Sequence, residues 1–463
     1  MRLATTGLLP LFFLFSHSVT AAPLPPQFIQ ALHQADISLR HVGLIVWPLN
    51  APAPSLTLNP DNVFNPASTL KLVTSYVALN VLGPAYTWQT AVLNDGTLQN
   101  GVLNGNLYLR GDGDPSLTDE RLFLLVHQLR VSGLNRINGN LIIDQSQFQT
   151  APSEAAFDDH PWRAYNALPA ATLYDYSATT ISLRITNQQI FLSAEPLPPH
   201  TQLINQVAAD HSPCDANWRD HLHTDWRAGK LMLSGTYSAQ CGTKEFALTD
   251  NVPSALLAGA FLTDWSEQGG QFHGIWHQGT TPDNAQSLFE FSSLPLTNVL
   301  YNMNKYSNNI MARNVFLSLA NNRPADIASA NQTVLHWLSS QGLHFPELVM
   351  DNGAGLSRTA RISAQNMAML LRHAATSPLY PELTSSLPIW GEDGTLKKRP
   401  HTCAVTDSAH LKTGTLDGVK TLAGYVHRPD GTTVVVVLFI NDEHANQGAI
   451  AQEALLNWIN ATR

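Results

Sequence analysis

Apolar positions along the chain switch repeatedly between a helical and a strand period. FIQALHQA (Phe28–Ala35) places them at helical spacing, and GLIVWPLN (Gly43–Asn50) is a short apolar run of strand type. In NPASTLKLVTSY (Asn65–Tyr76), Leu70, Val73 and Val77 make a helical stripe, predicting a buried helix. Asn65 suits its N-cap, Pro66 its first position, and Gly83-Pro84 its end. From about Trp88 the pattern becomes strand and turn: WQTAVL, NDG, then GNLYLRGDGDPSLT with its Gly-Asp loop. A helix is predicted at Asp119–Leu129, and NGNLIIDQSQF returns as a strand. Asp158 to about Cys241 is irregular, with short strands such as TTISLRI and KLMLSGTYS. Helical spacing resumes at Val252–Gln268, Leu296–Asn322 and Ser363–Ala374. AHLKTGTL, TLAGYVHR and TTVVVVLFI then read as three successive strands, the last two joined by a PDG turn, before the amphipathic helix GAIAQEALLNWI.

This order predicts an α+β fold: an antiparallel sheet built from both chain ends and flanked by helices, with a strand-rich block inserted between them. The predicted limits are 22–87 with 287–463 for the sheet-bearing domain, 88–157 with 242–286 for an inserted domain, and 158–241 for a second one nested in it. Residues 1–21 read as a signal peptide: Arg2, the apolar run Leu8–Phe15, and Val19-Thr20-Ala21 as a small-residue cleavage site. That run is too short for a membrane anchor, and Val434–Ile440 reads as a buried strand, so an exported chain with no transmembrane anchor is expected.

Composition narrows the function. A net charge of −9 and the absence of a basic run argue against a nucleic-acid partner. Three cysteines fit an oxidising compartment; Cys214 and Cys241 are near enough in sequence to pair, leaving Cys403 as a buried, inert thiol. The histidines show no metal-ligand spacing, so neither metal nor cofactor is expected. Asp112 and Asp114 fit a turn whose side chains cap backbone N–H groups better than a cation site.

Chemistry enters with three triplets. Of the eight lysines, Lys71 alone has a serine, Ser68, three residues before it, which puts both side chains on one helix face. Ser307-Asn308-Asn309 follows in the Leu296–Asn322 helical tract, and Lys412-Thr413-Gly414 on a predicted strand. Serine-x-x-lysine, serine-x-asparagine and lysine-threonine-glycine in that order are the signature of penicillin-recognising serine acyl-transferases. In such a site Ser68 is the nucleophile and Lys71 its base, with a pKa lowered by the second cation, Lys412. Ser307 relays a proton to the leaving amine, Asn309 bonds near Lys71 and the substrate amide, and the N–H groups of Ser68 and Thr415 form an oxyanion hole. Gly414 leaves room for substrate to lie along the strand beside Thr413.

Together with the long insertion, GNLYLRGDGDPSLT, DNGAGLSR (Asp351–Arg358) and LPIWGEDGTL (Leu387–Leu396), the chain resembles the class C low-molecular-mass penicillin-binding proteins. The resemblance covers nearly the whole mature chain and is weakest at Asn187–Tyr237. It implies a transpeptidase-like domain carrying two nested insertions. It further implies a periplasmic D-alanyl-D-alanine carboxypeptidase or endopeptidase acting on peptidoglycan stem peptides, with β-lactams as covalent inhibitors. Arg358 matches an arginine that meets the carboxylate of the stem peptide's diamino acid. Asp417 stands where the family has glutamine, and Asp158 or Asp159 is the candidate for an acidic residue that meets the ammonium. Asn308 replaces the more common aspartate. Two alternatives remain open on these residues: a β-lactamase or esterase using the same serine and lysine, and a non-catalytic peptidoglycan-binding scaffold.

Overall fold

The computed structural model describes residues 23–149, 157–187, 189–227, 229–250 and 252–462; residues 1–21, expected from the sequence to be a signal peptide, lie outside them. The fold is α+β. Its main sheet has five strands in the spatial order Leu56–Leu58, Val42–Pro48, Thr433–Asn441, Val419–His427, Ala409–Leu416, every neighbouring pair antiparallel. The first and last segments of the chain meet at its centre, where Leu44 pairs with Leu438.

The valine run of the central strand follows from its two covered faces. Val434, Val436, Leu438 and Ile440 pack with Phe28, Leu32, Leu455 and Ile459 of the Pro26–Gln34 and Ala449–Ala461 helices. Val435, Val437 and Phe439 point the other way, into a core with Val73 and Val77 of the Lys71–Val81 helix and Leu370 of the Ala364–Ala375 helix. A period of two feeding two cores requires apolar residues at every position. The Ala409–Leu416 strand has a neighbouring strand on one side only; on its other edge Pro388–Trp390 bonds Ala409 and Leu411, and the edge is free of strand pairing from Lys412 onward among the described residues.

Between the two halves, a five-stranded mixed sheet (Trp276–Gln278, Leu141–Asp144, Leu107–Gly111, Gln89–Asn94, Gln286–Ser292) and a four-stranded one share a core with the Asp119–Val131 and Pro253–Glu267 helices. Two three-stranded sheets lie within this block, packed around Ile181, Trp226, Leu233 and Tyr237. Lys244–Leu248 pairs with Thr179–Thr186, and Gln286–Ser292 pairs with Gln89–Asn94. The local pattern of either strand carries no record of its partner.

Helical spacing over Leu296–Asn322 predicts one tract, but the structure has two helices, Leu296–Lys305 and Asn309–Ser318, broken at Tyr306–Asn308. The Ile327–Ser340 helix, capped by Asp326, is not anticipated by the pattern reading. The expected Cys214–Cys241 disulfide is present and Cys403 is a buried free thiol. No helix among the described residues is long and apolar enough to cross a membrane.

Candidate active site

The Asn65–Leu70 turn is held from several sides. Instead of capping a helix as the sequence suggests, Asn65 accepts from the Ala67 N–H through Oδ1 (2.8 Å) and donates through Nδ2 to the Ser357 carbonyl (2.7 Å). Ala67–Leu70 is a 3₁₀ turn, and α-helix begins only at Lys71. Ala67 takes a left-handed φ of 45°, a conformation that costs a non-glycine residue roughly 1–2 kcal/mol. Its surroundings hold it there. Thr421 Oγ1 donates to the Pro66 carbonyl (2.8 Å), and Gly355 lies so close that a Cβ on it would stand 1.9 Å from the Ala67 oxygen. On the open-edged strand, a Cβ at Gly414 would stand 2.9 Å from the Ser68 nitrogen, so only glycine lets the Ala409–Leu416 strand come this near the turn.

Lys71, fully buried, donates from Nζ to Ser68 Oγ (3.1 Å), Asn309 Oδ1 (2.7 Å) and the Ala354 carbonyl (2.7 Å). The last acceptor comes from the DNGAGLSR turn, which Asn352 Oδ1 shapes by accepting from the Ala354 and Gly355 N–H groups. Burial, then the charge of Lys412, then that of Arg313 hold the Lys71 amine well below the usual lysine range. Lys412 is equally buried, and burial brings it to about 7; its Nζ donates to Ser307 Oγ (2.8 Å) and the Thr413 carbonyl (2.8 Å). Two buried lysines with depressed pKa values, each bonded to a serine hydroxyl, can serve as a base and a proton relay.

Ser307 stands in the turn between two helices, with φ 56°, and not inside a helix as expected. Asn308 caps the following helix by accepting from the Met311 N–H (3.1 Å), a role that asparagine and aspartate fill equally well. That accounts for the departure from the family's more common aspartate.

Ser68 and Ser307 open onto a cleft of about 500 Å³ lined further by Thr395, Lys398, Arg399, Thr413, Thr415 and Lys420. Sequence reasoning singled out the threonines at 413 and 415 but missed Thr395 and the three cations. The one available signal was Lys397-Lys398-Arg399, three adjacent cations too few to count as a basic run but unusual in a chain of net charge −9. Thr395 Oγ1 is 2.8 Å from Thr413 Oγ1. Its turn is fixed by Asp393, which bonds the Ile389 N–H and pairs at 2.5 Å with Lys305, a lysine only 3% exposed and two residues before Ser307.

Beyond the opposite end, Arg358 donates to the Asp417 carbonyl (2.9 Å) and lies 4.7 Å from the ring centroid of Phe157. Asp417 is exposed in the turn after the Ala409–Leu416 strand. The structure thus brings Arg358, Asp417 and the start of the nested segment together. Asp158 is otherwise engaged: its carboxylate accepts from Tyr165 Oη (2.6 Å), Asn166 Nδ2 (3.0 Å) and the His160 N–H (3.0 Å), while Asp159 is exposed. In the Gly-Asp loop, Asp112 accepts from the Gln89 N–H and Asp114 from the Ser116 N–H and hydroxyl, the capping expected of such a turn. Among the described residues, no three His, Cys, Asp or Glu side chains are placed to share a metal ion.

The model of the D-Ala-D-Ala carboxypeptidase 3 (S13) family matches residues 27–462. D-alanyl-D-alanine carboxypeptidase DacB of Haemophilus influenzae is 29% identical over 417 residues, covering 87% of this chain and 85% of that protein. The D-alanyl-D-alanine carboxypeptidase of Actinomadura sp. is 28% identical over 427 residues, 84% of this chain and 76% of its own. Among solved structures, penicillin binding protein 4 (dacB) from Haemophilus influenzae superposes with a TM-score of 0.78 at 25% identity, over 94% of this chain and 99% of the other. The same protein has been solved in complex with a β-lactam.

Proposed function

We propose a mechanism and a setting for this chain, which belongs to the D-Ala-D-Ala carboxypeptidase 3 (S13) family and is a serine-type D-Ala-D-Ala peptidase of the cell wall. Ser68 Oγ attacks the carbonyl between the two D-alanines as neutral Lys71 takes its proton. The resulting oxyanion is held by the N–H groups of Ser68 and Thr415, and Asn309 steadies Lys71 and the substrate amide. Ser307, bonded to Lys412, passes a proton to the departing amine. Water then hydrolyses the Ser68 ester, with Lys71 again as base. β-Lactams follow the same first steps and stay attached. The observation that carries this reading is the fully buried Lys71 amine bonded to Ser68 Oγ at 3.1 Å.

Substrate lies along the open edge of the Ala409–Leu416 strand beside Thr413 and Gly414. Arg358 meets the carboxylate of the diamino acid with its uncommitted N–H groups, and Asp417 and Asp159 face the ammonium. We place the enzyme in the periplasm, exported by residues 1–21, with the nested domain extended to Leu248 and the first insertion to Ser292.

Purified protein incubated with cross-linked muropeptides should remove terminal D-alanine or split the cross-bridges, as mass spectrometry reads directly. Unchanged muropeptides would sink the peptidase reading, and multiple turnovers of nitrocefin would replace it with a β-lactamase.

The lysine pair gives a pH prediction. Lys71 acts as base only when neutral, and the charge of Lys412 is the second cause of its lowered pKa, after burial. Lys412→Gln removes that charge, so the Lys71 pKa rises and less of it is neutral at a given pH. The acidic limb of the acylation-rate profile should therefore move to higher pH. A limb that stays in place, or moves down, would show that Lys71 is not the titrating base.

A further inference from the structure

The cleft around Ser68 has two chemically different ends. Beyond one of them, two residues past the lining residue Thr415, Arg358 and Phe157 gather at the Asp417 turn. At the other, Ser307 and Lys412 meet Thr413, and Thr413 meets Thr395. Because Ser307 delivers the proton to the departing amine, this second end receives the leaving group. Lys398 and Arg399 line the cleft three and four positions after Thr395, and Lys420 stands opposite Thr415 in the neighbouring strand, on the face that also carries Thr413. The cleft lining therefore holds hydroxyls and cations and no carboxylate.

These cations are not equivalent. Arg399 is already engaged: it donates to Gln452 Oε1 (2.8 Å), approaches Glu453 (3.7 Å) and lies over Trp390. Among the described residues, Lys398 and Lys420 have no ion-pair partner, although Lys420 is half-buried. A half-buried ammonium beside a guanidinium, with no counter-charge, is costly unless a ligand supplies the anion. Burial, then Arg399, accordingly lowers the Lys420 amine.

We propose that Lys398 and Lys420 form a leaving-strand subsite that binds the carboxylates of an acidic peptide, so that the enzyme favours splitting cross-bridges between stem peptides over releasing single D-alanine. This inference rests on the peptidase reading. A departing D-alanine brings one carboxylate, which the cleft-lining hydroxyls of Thr413 and Thr415 are placed to take. A departing stem peptide brings further carboxylates along the same strand, and only that leaving group gives Lys398 and Lys420 partners.

The test uses three substrates with one acyl half: the first releases D-alanine, the second an acidic stem peptide, the third the same peptide with its carboxylates amidated. The wild-type enzyme should prefer the acidic leaving strand over the amidated one by about tenfold in kcat/KM, mainly through KM, and the preference should shrink as NaCl is raised. Lys398→Gln/Lys420→Gln should bring the two within roughly twofold of each other, while Lys398→Arg/Lys420→Arg keeps the preference. Equal cleavage of acidic and amidated substrates by the wild type would overturn the subsite, and needs no variant that folds. A preference that survives the double glutamine variant would overturn it as well. Labelling of Ser68 by fluorescent penicillin separates the two readings: labelling and cleavage without preference defeat the subsite alone, whereas absence of both defeats the peptidase reading and the subsite with it.

Discussion

Ser68→Ala should lose peptide hydrolysis by roughly 10⁴-fold or more, and lose penicillin labelling completely, because no second hydroxyl occupies the attacking position. Ser307 Oγ is the other serine hydroxyl in the cleft, but it is bonded to Lys412, and Lys71 bonds Ser68 and Asn309. The fold should survive the change. Lys71 keeps Asn309 Oδ1 and the Ala354 carbonyl as acceptors, and the turn is held by bonds to Asn65 and Pro66 that do not involve the Ser68 side chain. Intact-mass analysis after penicillin treatment should show one adduct on the wild type and none on the variant. An adduct that persists in Ser68→Ala would move the nucleophile elsewhere.

Lys71→Ala should slow acylation by about 10³-fold, within the range a positioned base contributes. The alanine variant also leaves a cavity and strands two acceptors, the part-buried Asn309 Oδ1 and the buried Ala354 carbonyl. Lys71→Met fills that volume without an amine and separates the effects. Both variants should lose the acylation rate, read as a second-order rate constant with fluorescent penicillin, while the alanine variant, which adds a cavity to the stranded acceptors that both share, should lose several degrees more of melting temperature than the methionine variant. A methionine variant that acylates at the wild-type rate would assign the base to another group. Arg313, one cause of the lowered Lys71 pKa, cannot take that part, since a guanidinium stays protonated at every working pH.

The sequence by itself determined what depends on near neighbours along the chain. Ser68 and Lys71 meet because three residues nearly complete a turn, whether that turn is α or 3₁₀. The apolar run at Val434–Ile440 announces a strand buried on both faces, and Cys214 and Cys241 are near enough in sequence to pair. The order of the three triplets was also legible, and with it the α+β class and the chemistry. Tertiary structure alone decided how the triplets meet. Lys412 reaches Ser307 across 105 positions and Lys71 reaches the Ala354 carbonyl across 283, and no periodicity encodes such distances. The left-handed backbone at Ala67 and Ser307 was equally hidden, because neither is a glycine and packing alone holds each one there. The cations at 398 and 420 became part of the cleft only through strand register and the Lys305–Asp393 pair beneath the Thr395 turn. Local pattern reports which face of an element is apolar; which charged groups then stand together, and how far burial shifts their protons, depends on elements that meet only after the chain has folded.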